Sequence, residues 1–145
     1  LDAQAAGIIA RTKIQETTAR QQLEAALGSA TEVLGVPFLA TTVNIADTVT
    51  LRKMTDWYLQ RYPSGIVIFA SRIGAQVSLI ARVSPDLTLR GLHAGRLVST
   101  IAKQINGSGG GKATLAQGGG KSPEYLDDAL NTAKNTVSDI LSEHT

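Results

Sequence analysis

Apolar positions along the chain recur with two different periods. Leu23, Leu27, Ala30 and Leu34 follow one another at three or four residues, which is the spacing of one helical face. Leu1, Ala5, Ile8 and Ile9 begin a similar stripe, and from Arg11 to Gln22 the pattern is thin and polar. The expectation is a long N-terminal helix over residues 1–34, a stalk with little of its own to bury, closed by Gly35. Val36, Phe38, Ala40 and Val43 then mark a strand. Asp47 suits the N-cap of a following helix, whose apolar face carries Leu51, Met54, Tyr58 and Tyr62, with Arg52, Lys53, Asp56 and Gln60 off it. Tyr62-Pro63-Ser64-Gly65 stops that helix, because Pro cannot continue it and disfavours α geometry just before it.

The run Gly65-Ile-Val-Ile-Phe-Ala70 is continuously apolar, the mark of a strand buried on both faces. Ser71 to Ala75, with Gly74, reads as a hairpin turn. Val77 to Val83 alternates, with Val77, Leu79, Ala81 and Val83 on one side and Ser78, Ile80 and Arg82 on the other, as in a half-buried strand. A helix over Leu92–Ile105 buries Ala94, Leu97, Val98, Ile101, Ala102 and Ile105, and sets His93, Arg96, Thr100 and Lys103 on a polar stripe opposite. Ser122 as N-cap and Pro123 at the first helical position open a last helix with Leu126, Leu130, Ala133, Val137 and Ile140 inward. The order predicts an α/β (α+β) fold, a small mixed sheet packed with helices and preceded by the stalk. The expected domains are a helical stalk over 1–34 and a globular unit over 35–145.

Between the last two helices lie two glycine runs, Gly107-Ser108-Gly109-Gly110-Gly111-Lys112 and Gln117-Gly118-Gly119-Gly120-Lys121, holding seven of the 14 glycines. Structurally they read as a tight linker. Functionally, consecutive glycine amides converge on an anion and the two lysines add charge. Both readings stand open on the residues alone.

Composition narrows the choice. Apolar residues make up 43% and charged residues 18%, ordinary for a globular chain. Aromatics are only 4%, too few to build a base-stacking platform from rings. The net charge of +2 is unevenly placed. Residues 86–121 carry five basic side chains (Arg90, Arg96, Lys103, Lys112, Lys121) against Asp86, while residues 122–145 carry one basic and five acidic ones. A local basic block is the footprint of a phosphate partner, and equally of a solvated helix face.

No Cys is present, so disulfides and Cys-ligated zinc are excluded. No apolar run approaches the ~18–20 residues of a membrane span, and no signal peptide is visible, so a cytoplasmic chain is expected. Its first residue is Leu rather than Met, as in a fragment or processed product. The nucleotide motifs fail. Gly120-Lys121-Ser122 would need a Gly at Leu115, Gly111-Lys112 precedes Ala113 instead of a hydroxyl residue, and Gly107-Ser108-Gly109 would need a Gly at Lys112. His93 has no nucleophile at an obvious spacing; it reads as a hydrogen-bonding structural residue, with RNA contact as the competing use. Asp127 and Asp128 point apart on one helix, a solvated face near its start.

The order of Leu92-His93-Ala94-Gly95, Ile101-Ala102-Lys103, Gly107 to Lys112 and Leu115-Ala116-Gln117-Gly118-Gly119 is similar to the terminal domain of alanyl-tRNA synthetases, called DHHA1 or C-Ala. Val83 to Thr88, Ser122-Pro123-Glu124 and Ala129-Leu130 extend the resemblance, which covers roughly Gly35 to Ile140. Ser108 stands where the family usually has Gly in a longer run, and Ala113-Thr114 replaces its more typical Pro and following polar or bulky residue.

The resemblance implies a tRNA-binding module on a long helix that contacts the elbow of tRNA(Ala) and helps one tRNA reach the charging and editing sites. It implies RNA-facing roles for Arg96, Lys103, Gly107, Gly109, Gly110, Gly111, Lys112, Gln117, Gly118, Gly119 and Lys121, with His93 inside the motif. It implies no catalytic residue, metal or cofactor in this chain; ATP and Mg2+ belong to the parent ligase, and zinc to its editing domain. Expected partners are tRNA(Ala), the other synthetase domains and, in some members, a second copy, with no membrane. The alternatives are the substrate-binding domain of a DHH-type phosphodiesterase, whose Gly-Gly-Gly-His loop differs from Gly111-Lys112 here, or a free-standing alanyl-tRNA editing protein. An assembly role would use the Leu23–Leu34 stripe, which otherwise packs on the chain's own sheet.

Overall fold

The computed structural model describes residues 17–45 and 47–143. Residues 17–27 are helical (α1). There follow β1 (Thr31–Val33), β2 (Val36–Val43), α2 (Thr48–Arg61), β3 (Ile66–Ile73), β4 (Gln76–Val83), a short α3 (Pro85–Thr88), α4 (Ala94–Gln104), β5 (Ser108–Gly111), β6 (Leu115–Gly120), a 3-10 turn (Pro123–Tyr125) and α5 (Leu126–Glu143). The strands form one mixed sheet in the order β1-β2-β3-β4-β6-β5. Only β2 and β3 run parallel, joined across α2; the other pairs are antiparallel.

The period-two and period-3.6 patterns explain the three layers. β3 is central, and Ile66 to Ala70 are fully buried, each large apolar side chain there contributing roughly 1.5–3 kcal/mol. Ile66, Ile68 and Ala70 join Val77, Leu79, Ala81 and Val83 of β4 in a core shared with the inward faces of α4 and α5. Val67, Phe69 and Ile80 face the other way, into a second core with Leu51, Met54 and Tyr58 of α2 and with Ala19 and Leu23 of α1. β4 is therefore covered on both faces rather than half-buried. Asp47 caps α2 as expected, accepting the Val49 amide at 3.1 Å and the Thr50 hydroxyl at 2.8 Å.

Several expectations are corrected. The N-terminal helix ends at Leu27 and does not reach residue 34. Leu34 and Gly35 form a hairpin turn with φ of 50° and 84°, and Leu34 is 55% exposed, so the apolar stripe runs past the helix into β1 and its turn. The stripe packs on the chain's own sheet through Leu23, Leu27 and Ala30. Gln22 fixes α1 further: its amide nitrogen donates to the Asn44 carbonyl at 3.0 Å and its oxygen accepts the Asn44 amide at 2.7 Å. The turn between β3 and β4 is shorter than Ser71–Ala75, because pairing continues to Ile73 and Gln76. Both glycine runs, read as linkers, are paired strands. Ser122 makes no side-chain cap and precedes a single 3-10 turn; its hydroxyl accepts from Asn106 Nδ2 at 2.7 Å. The helical expectation for residues 1–16 and the second histidine, His144, lie outside the described residues.

Candidate functional site

The glycine hairpin β5–β6 closes one edge of the sheet, and α4 lies along it. Gly109 and Gly118 face the helix, and a Cβ on either would stand 2.7 Å from Val98 Cγ1. At the open end, a Cβ on Gly107 would lie 1.8 Å from the Gly119 carbonyl oxygen. These residues are glycine because backbone meets backbone and helix at contact distance. Gly110 differs: nothing lies within 4 Å of its Cβ position, and its φ is not positive. The fold does not require glycine there.

Helix α4 begins at Ala94, not Leu92, because His93 is extended (φ −149°, ψ 113°) and its Nδ1 accepts the Arg96 amide at 3.2 Å. The next amides are also used. Ala94 donates to the Ala113 carbonyl at 2.8 Å, Gly95 to Lys112 at 3.1 Å and Leu97 to His93 at 3.1 Å. The positive end of the helix, often an anion site, here holds the carbonyls of the hairpin turn. His93 is thus the N-cap of α4, and the Ala94 and Gly95 amides beside it tie the turn to the helix.

The amides of the two glycine runs do not converge. Lys112 N donates to Leu115 O at 2.9 Å and Val83 N to Thr114 O at 2.9 Å. Antiparallel alternation then turns Ser108 and Gly110 toward β6 and leaves the polar backbone of Gly109 and Gly111 at the sheet edge. In place of consecutive amides converging on an anion, one of the two open readings, the hairpin presents a strand edge, with the Gly111 backbone lying against Gly95 of α4.

Around that edge stand cations. Arg96, Lys103, Lys112 and Lys121 are all exposed, and none pairs with a carboxylate of the described residues, where the ion pairs are Arg61–Glu24 and Arg82–Asp56. Lys112 lies at the turn, beside the start of α4; Lys121 lies at the far end, its amide on the Ile105 carbonyl at 2.9 Å. Six residues of β6 separate them, about 20 Å at ~3.3 Å per residue. Two lysines so far apart suit separate phosphates of a chain, not one anion. Gln117 is exposed on the face of the hairpin away from α4, paired with Gly110. The structure thus brings the seven glycines of the two runs, Gln117 and both lysines to one hairpin, with Arg96 in the first turn of α4 and Lys103 in its last.

Three polar residues near the open end went unread in the sequence: Gln76, Ser78 and Asn106. Asn106 adopts φ +55° directly after α4; Asn-Gly after a helix is a signal for a left-handed C-terminal residue. Gln76 and Ser78 carry no local signal, since only strand order brings β4 beside β6.

Among the described residues, no cluster of three or more His, Asp or Glu side chains is placed to hold a metal, and no helix is long and apolar enough to cross a membrane.

Residues 35–139 match the model of the DHHA1 domain family. The chain is 39% identical over 124 residues to an alanine–tRNA ligase of Desulforamulus reducens, an alignment covering 86% of this chain and 14% of that enzyme. The crystal structure of the C-Ala domain of Aquifex aeolicus alanyl-tRNA synthetase superposes with TM-score 0.69 at 28% identity, covering 75% of this chain and 97% of that domain. A pGpG-specific phosphodiesterase of Vibrio cholerae shares the fold alone, with TM-score 0.53 at 13% identity over 88% of this chain and 40% of that one.

Proposed function

The chain belongs to the DHHA1 domain family, and from that premise we propose that it is the tRNA-binding module of an alanine–tRNA ligase. In this reading the module docks on the elbow of tRNA(Ala) and helps the parent enzyme present one tRNA to its charging and editing sites. Its partners are tRNA(Ala) and the other domains of the ligase, in the cytoplasm. A second copy joins where the parent dimerises. The module does no chemistry and needs no cofactor; ATP, Mg2+ and any zinc belong to the rest of the enzyme.

The observation that carries the reading is the set of four exposed cations beside a glycine-rich hairpin, none tied to a carboxylate of the described residues. Folded RNA hides its base edges and offers phosphates and 2′-hydroxyls. A backbone-lined edge with spaced cations lets such a surface approach closely. Relatives at this level of identity being alanine–tRNA ligases favours the synthetase over a phosphodiesterase.

The test compares full-length tRNA(Ala) with an acceptor-stem minihelix that lacks the elbow. The module should bind the full tRNA in a salt-dependent way and the minihelix far less. Equal affinity for both would remove the elbow from the account.

A further inference from the structure

At the open end of the hairpin a shallow, largely open pocket of about 360 Å³ lies between the start of β4, the end of α4 and the glycine strands. This is the lower end of the ~300–1,000 Å³ range of small-ligand sites, room for one nucleotide and not for a duplex. Its lining includes Val77 and the main chain of Gly107 and Gly118 to Gly120. Its rim is polar and without a carboxylate: Gln76, Ser78, Asn106, Ser108 and Lys121.

The rim groups are in a state to bind. Asn106 spends its Nδ2 on the Ser122 hydroxyl, which fixes the side chain and leaves Oδ1 as an acceptor. Gln76 and Ser108 are exposed. The Lys121 ammonium is exposed, while its amide and that of Ser122 both donate to Ile105 O, at 2.9 and 3.0 Å, which anchors the backbone behind it. One cation and several neutral donors and acceptors beside a glycine-lined wall match a phosphate, a sugar and a base edge.

We propose that this cavity receives one unstacked nucleotide of the bound RNA, its phosphate on Lys121 and its polar edge on Asn106, with Gln76 and Ser108 at the rim. The proposal rests on the RNA-binding reading above. It gives the two ends of the hairpin different tasks: Lys112 meets backbone charge at the turn, and the Lys121 end holds a single residue of the RNA.

Amide NMR spectra of the whole chain, titrated with AMP and UMP at millimolar concentration, test it beside tRNA binding. Shifts should concentrate at Gly107, Ser108 and Gly118 to Lys121 and spare the turn at Leu34 and Gly35 on the opposite edge of the sheet. Asn106→Gly suits the left-handed backbone there, so the variant folds; it should weaken mononucleotide binding severalfold, the size of one lost neutral hydrogen bond, and Lys121→Met about tenfold or more, the size of one lost to a charged partner, and both should weaken tRNA binding as well. Lys112→Met should weaken tRNA binding alone. Absence of those shifts, with tRNA binding intact, would overturn the cavity but not the RNA reading. Mononucleotide binding with unchanged tRNA affinity in Asn106→Gly would assign the cavity to a free nucleotide and overturn the proposal. Failure of the wild type to bind tRNA at all would overturn the RNA reading itself.

Discussion

Val98 fills the space that a side chain on Gly118 would need: a Cβ there would sit 2.7 Å from Val98 Cγ1. The same methyl lies equally close to the Cβ position of Gly109. Helix α4 therefore presses on a hairpin that has to be bare on that face. Gly109→Ala should cost about 1–3 kcal/mol, the scale of overpacking a filled core. Gly110→Ala should leave stability unchanged or raise it by a few tenths up to ~1 kcal/mol, since its Cβ position is open and its backbone suits any residue. Urea denaturation of the two variants checks this; a loss for Gly110→Ala equal to that of Gly109→Ala would contradict the packing account.

His93→Ala removes the acceptor of the Arg96 amide. The expected cost is about 1 kcal/mol, the usual scale for a polar N-cap, with the largest gain in amide exchange at Arg96 and in the hairpin turn over residues 112–114. Unchanged exchange there would mean that His93 does not hold the turn.

Tyr58 is fully buried, and its hydroxyl has no hydrogen-bond partner among the described residues. Burial, aided by the neighbouring Tyr62, pushes its pKa well above the ordinary tyrosine value. Tyr58→Phe should be neutral or more stable by about 1 kcal/mol, because an unsatisfied buried hydroxyl is a cost. A clear loss of stability on thermal denaturation would show that the hydroxyl is satisfied.

The Asp86 carboxylate accepts the Ser64 hydroxyl, and that bond holds its pKa below the ordinary carboxylate value. A depressed folded pKa gives stability that is present above the unfolded value, about 3.9, and is lost as pH falls through the folded one. Asp86 is exposed, so the effect is small. Ser64→Ala should raise the Asp86 titration midpoint in NMR and flatten the loss of stability on acidification. An unmoved midpoint would contradict the assignment.

Much of this architecture was legible because apolar side chains report their own burial. β3 and β4, α2, α4 and α5 all carry such patterns. The hairpin β5–β6 was not, because a strand of glycines has no side chains to alternate; what makes it a strand is the surface of α4 and the edge of β4, both distant in sequence. The end of the N-terminal helix was misplaced because Ala30 and Leu34 continue a helical spacing by coincidence, one at the entry to β1 and the other in its turn. The candidate residues could be named from the sequence, but not how the fold divides them. His93 caps α4, Lys112 and Lys121 stand at opposite ends, and Gln76 and Ser78 appear only once β4 lies beside β6.

The central claim is that the cations along the hairpin face RNA phosphates, and tRNA affinity against salt tests it most directly. Log affinity should fall with log salt by about 0.7–0.9 per neutralised phosphate. Lys112→Glu combined with Lys121→Glu should weaken binding and reduce that slope by about 1.4–1.8, with unfolding free energy within about 0.5 kcal/mol of the wild type. The same slope in both proteins, or a double variant that no longer folds, would contradict the account.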